Sequence, residues 1–351
     1  EVSPLSNVTK KLPDYYKQLF LRKQFYLNEF WVGREEEISS FRNAYRQWHD
    51  GYSGGILVLG ERNSGKSFFS NYIHQQIEIK GDVFHINPPY TGSVEVADLL
   101  NSFQSVTEIN ASFAKIFNEV PKGSVFFIDD LELWWEKSAQ GMKVVDRLIS
   151  IINRFGDQHL FVVLCNIHSF RLINKYKKIE SAFLSLIELS PFNAKQLKDI
   201  VLKRHQSSSL KFVINNISES NYRSWNYARL FSRIFNYSEG NPGVTLQSWI
   251  KSISESSNKE VIMERPKIPD SAPLRYLETE WMIFILQFIL HKRMNLSKLI
   301  RVTQESRADV IIKVRILKRT VLIIEIGHDI LDINPYVLPF LRTALVKREL
   351  L

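Results

Sequence analysis

Short apolar runs alternate with amphipathic stretches through residues 31–190. The runs are Ile56–Leu59, Val83–Ile86, Val125–Ile128, Leu160–Cys165 and Ser185–Leu189. Brief apolar runs bounded by turn residues suit strands buried on both faces. After the first run, Phe68, Phe69, Tyr72, Ile73 and Ile77 recur at helical spacing. This alternation predicts βαβ units, an α/β fold with a parallel sheet flanked by helices. From residue 191 the strand signal fades. Ala194–His205, Arg223–Tyr237 and Pro242–Ile250 read as helices, so 191–255 is expected to be all-helical. The segment 256–272, with serines before it and Pro266, Pro269 and Pro273 in or beside it, has the composition of a linker. A last compact unit follows over 273–351. It reads as a helix (Leu274–His291), a short helix (Leu296–Val302), a turn and a helix (Ala308–Lys318). Two β-rich runs, Val321–Ile326 and Ile330–Ile333, then flank Gly327-His328-Asp329, and Pro339–Glu349 closes as a tail helix. Residues 1–30 are rich in aromatics (Tyr15, Tyr16, Phe20, Phe25, Tyr26, Phe30) and read as a helical arm packed on the body. No internal repeat or low-complexity tract is present.

Composition narrows the class. The 351 residues are 44% hydrophobic and 24% charged, enough to bury a large core and too many for one small domain. A single cysteine, Cys165, excludes an internal disulfide framework, and its apolar neighbours make it a strand residue rather than a reactive thiol. A reducing, cytoplasmic setting is expected. The formal charge of +9 permits binding to nucleic acid or an anionic surface. The longest apolar run, Trp281–Leu290, is roughly half of what spans a bilayer. No secretory leader is visible. Because the sequence begins at Glu1 rather than methionine, it is expected to be a piece of a longer chain.

The first apolar run feeds Gly60-Glu-Arg-Asn-Ser-Gly-Lys-Ser67, the spacing G-x-x-x-x-G-K-S of a phosphate-binding loop. Gly60 and Gly65 let the backbone curl so that N–H groups of Asn63, Ser64 and Gly65 face a β-phosphate. Lys66 reaches β- and γ-phosphates, and the Ser67 hydroxyl ligates Mg²⁺. The helix that follows, starting near Phe68, adds its positive end. About sixty residues later, Val125–Ile128 ends in two carboxylates. Asp129 is expected to hold Mg²⁺ through water, and Asp130 to polarise the attacking water. Glu132 is read as a solvated or structural carboxylate. Asn166, at the end of the next strand, is placed to orient the lytic water. His168 is read as a surface turn residue. The pair Trp134-Trp135 fits either a core anchor or an exposed partner-binding loop.

Together these residues resemble the AAA+ ATPases, and most of all the branch around replication initiators, origin-recognition proteins, transposition ATPases and the signalling STAND ATPases. The resemblance covers about 30–252. Phe30-Trp-Val-Gly-Arg-Glu-Glu-Glu-Ile38 looks like the family's V-G-R-E-E-E motif, which implies that Val32 and Gly33 pack on adenine. Arg34 either lies near the base or pairs with the glutamates after it. Asp129-Asp130 is similar to the initiator version of the acidic motif. Residues 189–204 look like the passage into the lid, and Glu239-Gly-Asn-Pro-Gly-Val-Thr-Leu246 is similar to the G-N-P lid motif, bringing Pro242 to the nucleotide. Two departures stand out. Ala182 falls where the family often has an arginine that reaches a neighbour's site, and Gly243 stands after Asn241-Pro242 where a lid arginine is usual. Arg171, Lys175, Lys177 and Lys178 could substitute for the first, though they read more simply as a solvated face. The resemblance therefore implies ATP or ADP with Mg²⁺, and hydrolysis that is slow or needs a partner supplying an arginine.

The unit 273–351 resembles a winged-helix domain. If it meets double-stranded DNA, its third helix would offer Arg307, Lys313, Arg315, Lys318 and Arg319 to phosphates and base edges. Two functions follow. One is a nucleotide-dependent regulator or assembly factor associated with DNA, with self-association or a protein partner supplying the arginine. The other is a STAND-like signalling or scaffold switch whose winged helix docks protein.

Overall fold

The computed structural model describes residues 11–21, 27–138, 140–257, 259–266, 274 and 276–351. Elements are numbered in chain order. The first body begins with α2 (Glu35–His49), after α1 (Asp14–Leu21). Its strands are β1 (Gly55–Gly60), β2 (Val83–Ile86), β3 (Val125–Ile128), β4 (Leu160–Asn166) and β5 (Phe183–Glu188). They pair in parallel in the order β2-β3-β4-β1-β5. The helices α3 (Lys66–Gln76), α4 (Val96–Thr107), α5 (Phe113–Glu119), α6 (Lys143–Phe155) and α7 (Ile167–Lys177) connect and cover them. Strands β1, β3 and β4 are buried at every position, which explains their unbroken apolar runs. One face packs Phe103, Phe117, Phe126, Phe161, Trp134 and Trp135. The other packs Phe41, Trp48, Phe69, Phe127 and Leu164. The tryptophan pair is thus a core anchor.

The lid differs from the all-helical expectation. Helices α8 (Ala194–Ser207), α9 (Ser224–Ser238) and α10 (Pro242–Lys251) are present. With them stands a four-stranded sheet of β6 (Lys211–Ile214), β7 (Ile217–Ser218), β8 (Ile253–Ser256) and β9 (Glu260–Met263), in the order β7-β6-β9-β8. Strand β9 lies inside the stretch expected to be linker. The signal is a period of two: Phe212 and Ile214, like Val261 and Met263, point into the lid core. Serine-rich composition hid it. The remaining linker residues 267–272, with Pro269, lie outside the described set, as does Pro273 after them. So do Phe25 and Tyr26 of the expected arm. Helix α1 packs on the lid, where Tyr16 accepts from Trp249 Nε1 at 2.7 Å and pairs with His205 Nδ1 at 3.0 Å.

The last unit holds α11 (Thr279–His291), β10 (Arg293–Asn295), α12 (Leu296–Thr303), α13 (Arg307–Arg319), β11 (Ile323–Glu325), β12 (Ile330–Ile333) and α14 (Leu338–Lys347). Helix α11 starts five residues later than expected, at Thr279, with Glu278 in extended backbone before it. Strand β10 was not expected. It pairs antiparallel with β12, completing a sheet ordered β10-β12-β11. The core of this unit joins Phe284, Phe288, Leu299, Val310, Leu317 and Leu341.

Candidate nucleotide site

Parallel pairing sets Gly60 of β1 opposite Asn166 of β4 and Ile128 of β3 opposite Val163. The carboxyl ends of three strands therefore converge, the usual ligand position in such sheets. The loop from Gly60 turns through left-handed backbone at Asn63 (φ 64°) and Gly65 (φ 96°) into α3. Gly65 caps α3 with no side chain bonded to its first turn, which leaves those N–H groups for an anion. Lys66 Nζ curls back onto the carbonyls of Gly60 at 3.0 Å and Glu61 at 3.1 Å. Ser67 is half-buried at the helix start.

Asp129 is held by its backbone N–H on Ile86 O at 3.0 Å, while its Oδ1 is buried without a hydrogen-bond partner. Burial, then the charge of Asp130, pushes its pKa up to about 7. A buried carboxylate oxygen without a protein partner fits a cation ligand. No three His, Cys, Asp or Glu cluster to hold a metal among the described residues. Mg²⁺ takes one or two protein oxygens and fills its shell with phosphate and water. Asp130 has left-handed backbone (φ 51°). Burial alone would raise its pKa, but the Lys292 ammonium at 2.5 Å overrides that and holds it below the ordinary range.

Glu132 is structural and buried, not solvated. Its Oε2 accepts the Asn166 N–H at 2.9 Å. Asn166 Oδ1 in turn caps α7 by accepting from His168 N at 2.9 Å. Asn166 lines a cleft with Glu61, Arg62, His168 and Asn241. His168 departs from its expected surface place: it faces this cleft, 3.9 Å from Glu61, and burial lowers its pKa.

The expected adenine side is built from Phe30, Trp31, Val32, Gly33 and Phe68. Gly33 holds left-handed backbone (φ 66°) that a residue with a Cβ rarely adopts, and a Cβ there would press on Gln196 and Phe192. Trp31 stacks on Tyr72 at 3.7 Å and donates to Gly33 O at 2.8 Å. Arg34 pairs with Glu37 at 2.8 Å and also donates to Ser64 O of the phosphate loop at 3.1 Å. It braces the loop besides pairing with a following glutamate.

The lid reaches the same loop. Asn241 Nδ2 donates to Arg62 O at 2.8 Å, and Gly243 N to Asn63 O at 3.1 Å. A Cβ on Gly243 would lie 2.6 Å from Asn63 Cβ, which explains why no arginine stands there. Pro242 is buried at the start of α10.

Four residues absent from the expectations complete the surroundings. Asp332 binds Arg62 with both oxygens. Arg342 pairs with Glu61 and Glu239. Lys292 holds Asp130, and Arg293 donates to Tyr90 O. All four belong to 276–351, and no local motif marks them. Of the expected DNA-contacting residues, Arg307 and Arg319 are exposed, and Lys318 is exposed but pairs with Glu325 at 2.5 Å. Lys313 is turned inward, buried against Glu280 and Glu305. It is removed from the contact face because position 313 lies on the same side of α13 as Val310 and Leu317.

Sheet order, strand-end acids and lid together have the architecture of the AAA+ fold. No family model and no curated protein matches the chain. Among solved structures it is similar to the Aeropyrum pernix ORC2 protein in its ADPNP–ADP complexes, with TM-score 0.54 and 11% identity over 95% of this chain and 98% of that one. It is also similar to the Aeropyrum pernix ORC1 protein in complex with DNA, with TM-score 0.52 and 11% identity over 95% and 98%. At such identity the likeness is one of fold. No helix among the described residues is long and apolar enough to cross a membrane.

Proposed function

We propose that this chain is an AAA+ ATPase that binds ATP with Mg²⁺ between sheet and lid and acts as a nucleotide-dependent regulator or assembly factor associated with DNA. The observation that carries the nucleotide reading is the convergence of the Gly60–Ser67 loop with the orphaned Asp129. Gly60, Asn63, Ser64, Gly65, Lys66 and Ser67 hold the phosphates. Val32, Gly33, Phe68 and Pro242 enclose the nucleoside. Ser67 and Asp129 hold Mg²⁺, which when bound shields the phosphate oxygens and orients them. Asp130 takes a proton from the attacking water, and Asn166 orients that water. Hydrolysis is slow, because Ala182 and Gly243 supply no arginine for the transition state.

The units are an arm (1–30), an ATPase core (31–190), a lid reaching through the linker-like stretch to Met263, and a winged helix (273–351). The DNA association draws on the +9 charge, on the exposed arginines of α13, and on the likeness to an ORC1 protein solved with DNA. A second reading, a STAND-like switch whose winged helix docks protein, is favoured by the contacts of Asp332 and Arg342 with the phosphate loop.

The test is nucleotide binding and turnover in Lys66→Ala. Loss of the ammonium from both phosphates is expected to abolish turnover and to weaken ATP binding by at least tenfold, at about 1.4 kcal/mol per decade. Unchanged affinity and turnover in the variant would refute the site.

A further inference from the structure

Lys292 ends α11 with φ 63° and ψ −69°, outside the regions a residue with a Cβ favours. Backbone held there costs on the order of 1–3 kcal/mol and persists only where its surroundings fix it. The surroundings here are the two halves of the nucleotide site. Lys292 Nζ lies 2.6 and 2.5 Å from the two carboxylate oxygens of Asp130. The Lys292 carbonyl accepts from Arg62 of the phosphate loop at 3.2 Å. In the next strand register Arg293 stands opposite Asp332, which holds the same Arg62. The pair sits about one-quarter exposed on the lysine side and 19% on the aspartate side, so salt screens it less than a surface pair.

The geometry points to Lys292 as a positioning residue of the ATPase site: docked on Asp130, it ties up that carboxylate and holds turnover low until the C-terminal unit lifts it away. This rests on the nucleotide reading above. In hydrolysis the water oxygen bonds the γ-phosphorus, the β–γ bridge bond breaks with its electron pair leaving on ADP, and the water proton passes to a base. A base needs an oxygen lone pair aimed at that water. One ammonium instead sits on both Asp130 oxygens, taking a lone pair from each and stabilising the ionised form, which weakens the carboxylate as a proton acceptor. Affinity for nucleotide is carried by the loop and lid. The effect of Lys292 therefore falls on kcat and leaves KM nearly unchanged.

The experiment compares Lys292→Met and Lys292→Arg with the wild type in the full chain, measuring kcat and KM for ATP. Lys292→Met is expected to raise kcat roughly tenfold with KM within about twofold. Lys292→Arg, which can grip a carboxylate with two parallel bonds, is expected to keep the low rate. A kcat that is unchanged or lower in Lys292→Met overturns the proposal, since Lys292 would then brace the fold or assist the chemistry. Should Lys292→Met not fold, Asp332→Asn loosens the same docking without touching Lys292 and must raise kcat likewise. The nucleotide reading fails differently: wild-type protein would bind no ATP, or Lys66→Ala would leave turnover intact.

Discussion

Lys298 carries an ammonium into a nearly closed space between α12 and the loop at Thr91. It is 2% exposed, and among the described residues its ammonium is bonded only to Thr91 O, at 3.5 Å. Gly92 makes the room: its φ is 77°, and a Cβ there would lie 2.8 Å from Lys298 Nζ. Burial lowers the Lys298 pKa to about 8, against the pull of Glu136 and with help from Arg301 and Arg293. The depressed value fixes the sign of a pH effect. Between about pH 8 and 10.5 the unfolded chain binds more protons here, so this group's contribution to stability improves as pH rises. Below pH 8 its penalty is fully present. Lys298→Met is therefore expected to stabilise the protein at pH 7, by at most about 3 kcal/mol, with Glu136 still paired to Arg301. The gain should shrink toward pH 10. Melting temperatures of variant and wild type at both pH values check this, and a gain that grows with pH would contradict it. Legibility at this scale follows sequence distance. Gly60 to Ser67 and Asp129 could be read because their chemistry is written in consecutive residues. Lys292 and Arg342 could not, because their partners lie 162 and 281 positions away and a charged residue in a helix or turn reads as solvated.

Among the elements, β1, β3 and β4 were legible because both of their faces are covered, which leaves unbroken apolar runs. Strands β6 to β9 were not. Each is short, covered on one face only, and set among serines that read as loop. Helix α13 was legible in extent but not in orientation. Val310, Lys313 and Leu317 face inward, leaving Ile312 and Ile316 exposed beside Arg315 and Arg319. Lys313 goes inward because Glu280 of α11 and Glu305 ahead of α13 receive it. The outward face is thus mixed, two isoleucines with arginines that have no carboxylate partner among the described residues. For the DNA-associated reading, Arg315→Ala with Arg319→Ala should weaken duplex binding at every sequence tested. It should reduce the slope of log affinity against log salt by about 1 for each phosphate that is no longer neutralised. Lys313→Ala should leave that slope unchanged. ATP affinity should stay the same in all three. Duplex titrations at several salt concentrations measure this. No duplex binding by wild-type protein at low salt would leave the protein-docking switch as the better reading.

Across the whole molecule, the unit 276–351 touches the first body at charged points, three of them around the candidate nucleotide site. Arg62 meets Asp332, Glu61 meets Arg342, Asp130 meets Lys292, and Glu136 meets Arg301. Tyr237 of the lid also donates to Tyr336 O at 2.7 Å, so lid and C-terminal unit are in direct contact. In this arrangement two cations beside the phosphate site, Arg62 and Lys292, are neutralised by protein carboxylates. Separation of the unit takes Asp332 away from Arg62, freeing a guanidinium in the phosphate loop itself. On the nucleotide reading, a nucleotide with one more phosphate is expected to gain more from that freed guanidinium than one with fewer. The hold of Asp332 on Arg62 and the choice of nucleotide are then expected to be linked, and linkage runs both ways. Asp332→Asn keeps the side-chain size, removes the charge that holds Arg62, and should tighten a non-hydrolysable ATP analogue relative to ADP. The ratio of the two dissociation constants is expected to shift by fivefold or more, the low end of ordinary coupling energies at about 1 kcal/mol. Titration of both nucleotides against wild type and variant measures it. Equal changes for ATP analogue and ADP would mean that Asp332 supports the loop without coupling the unit to the γ-phosphate.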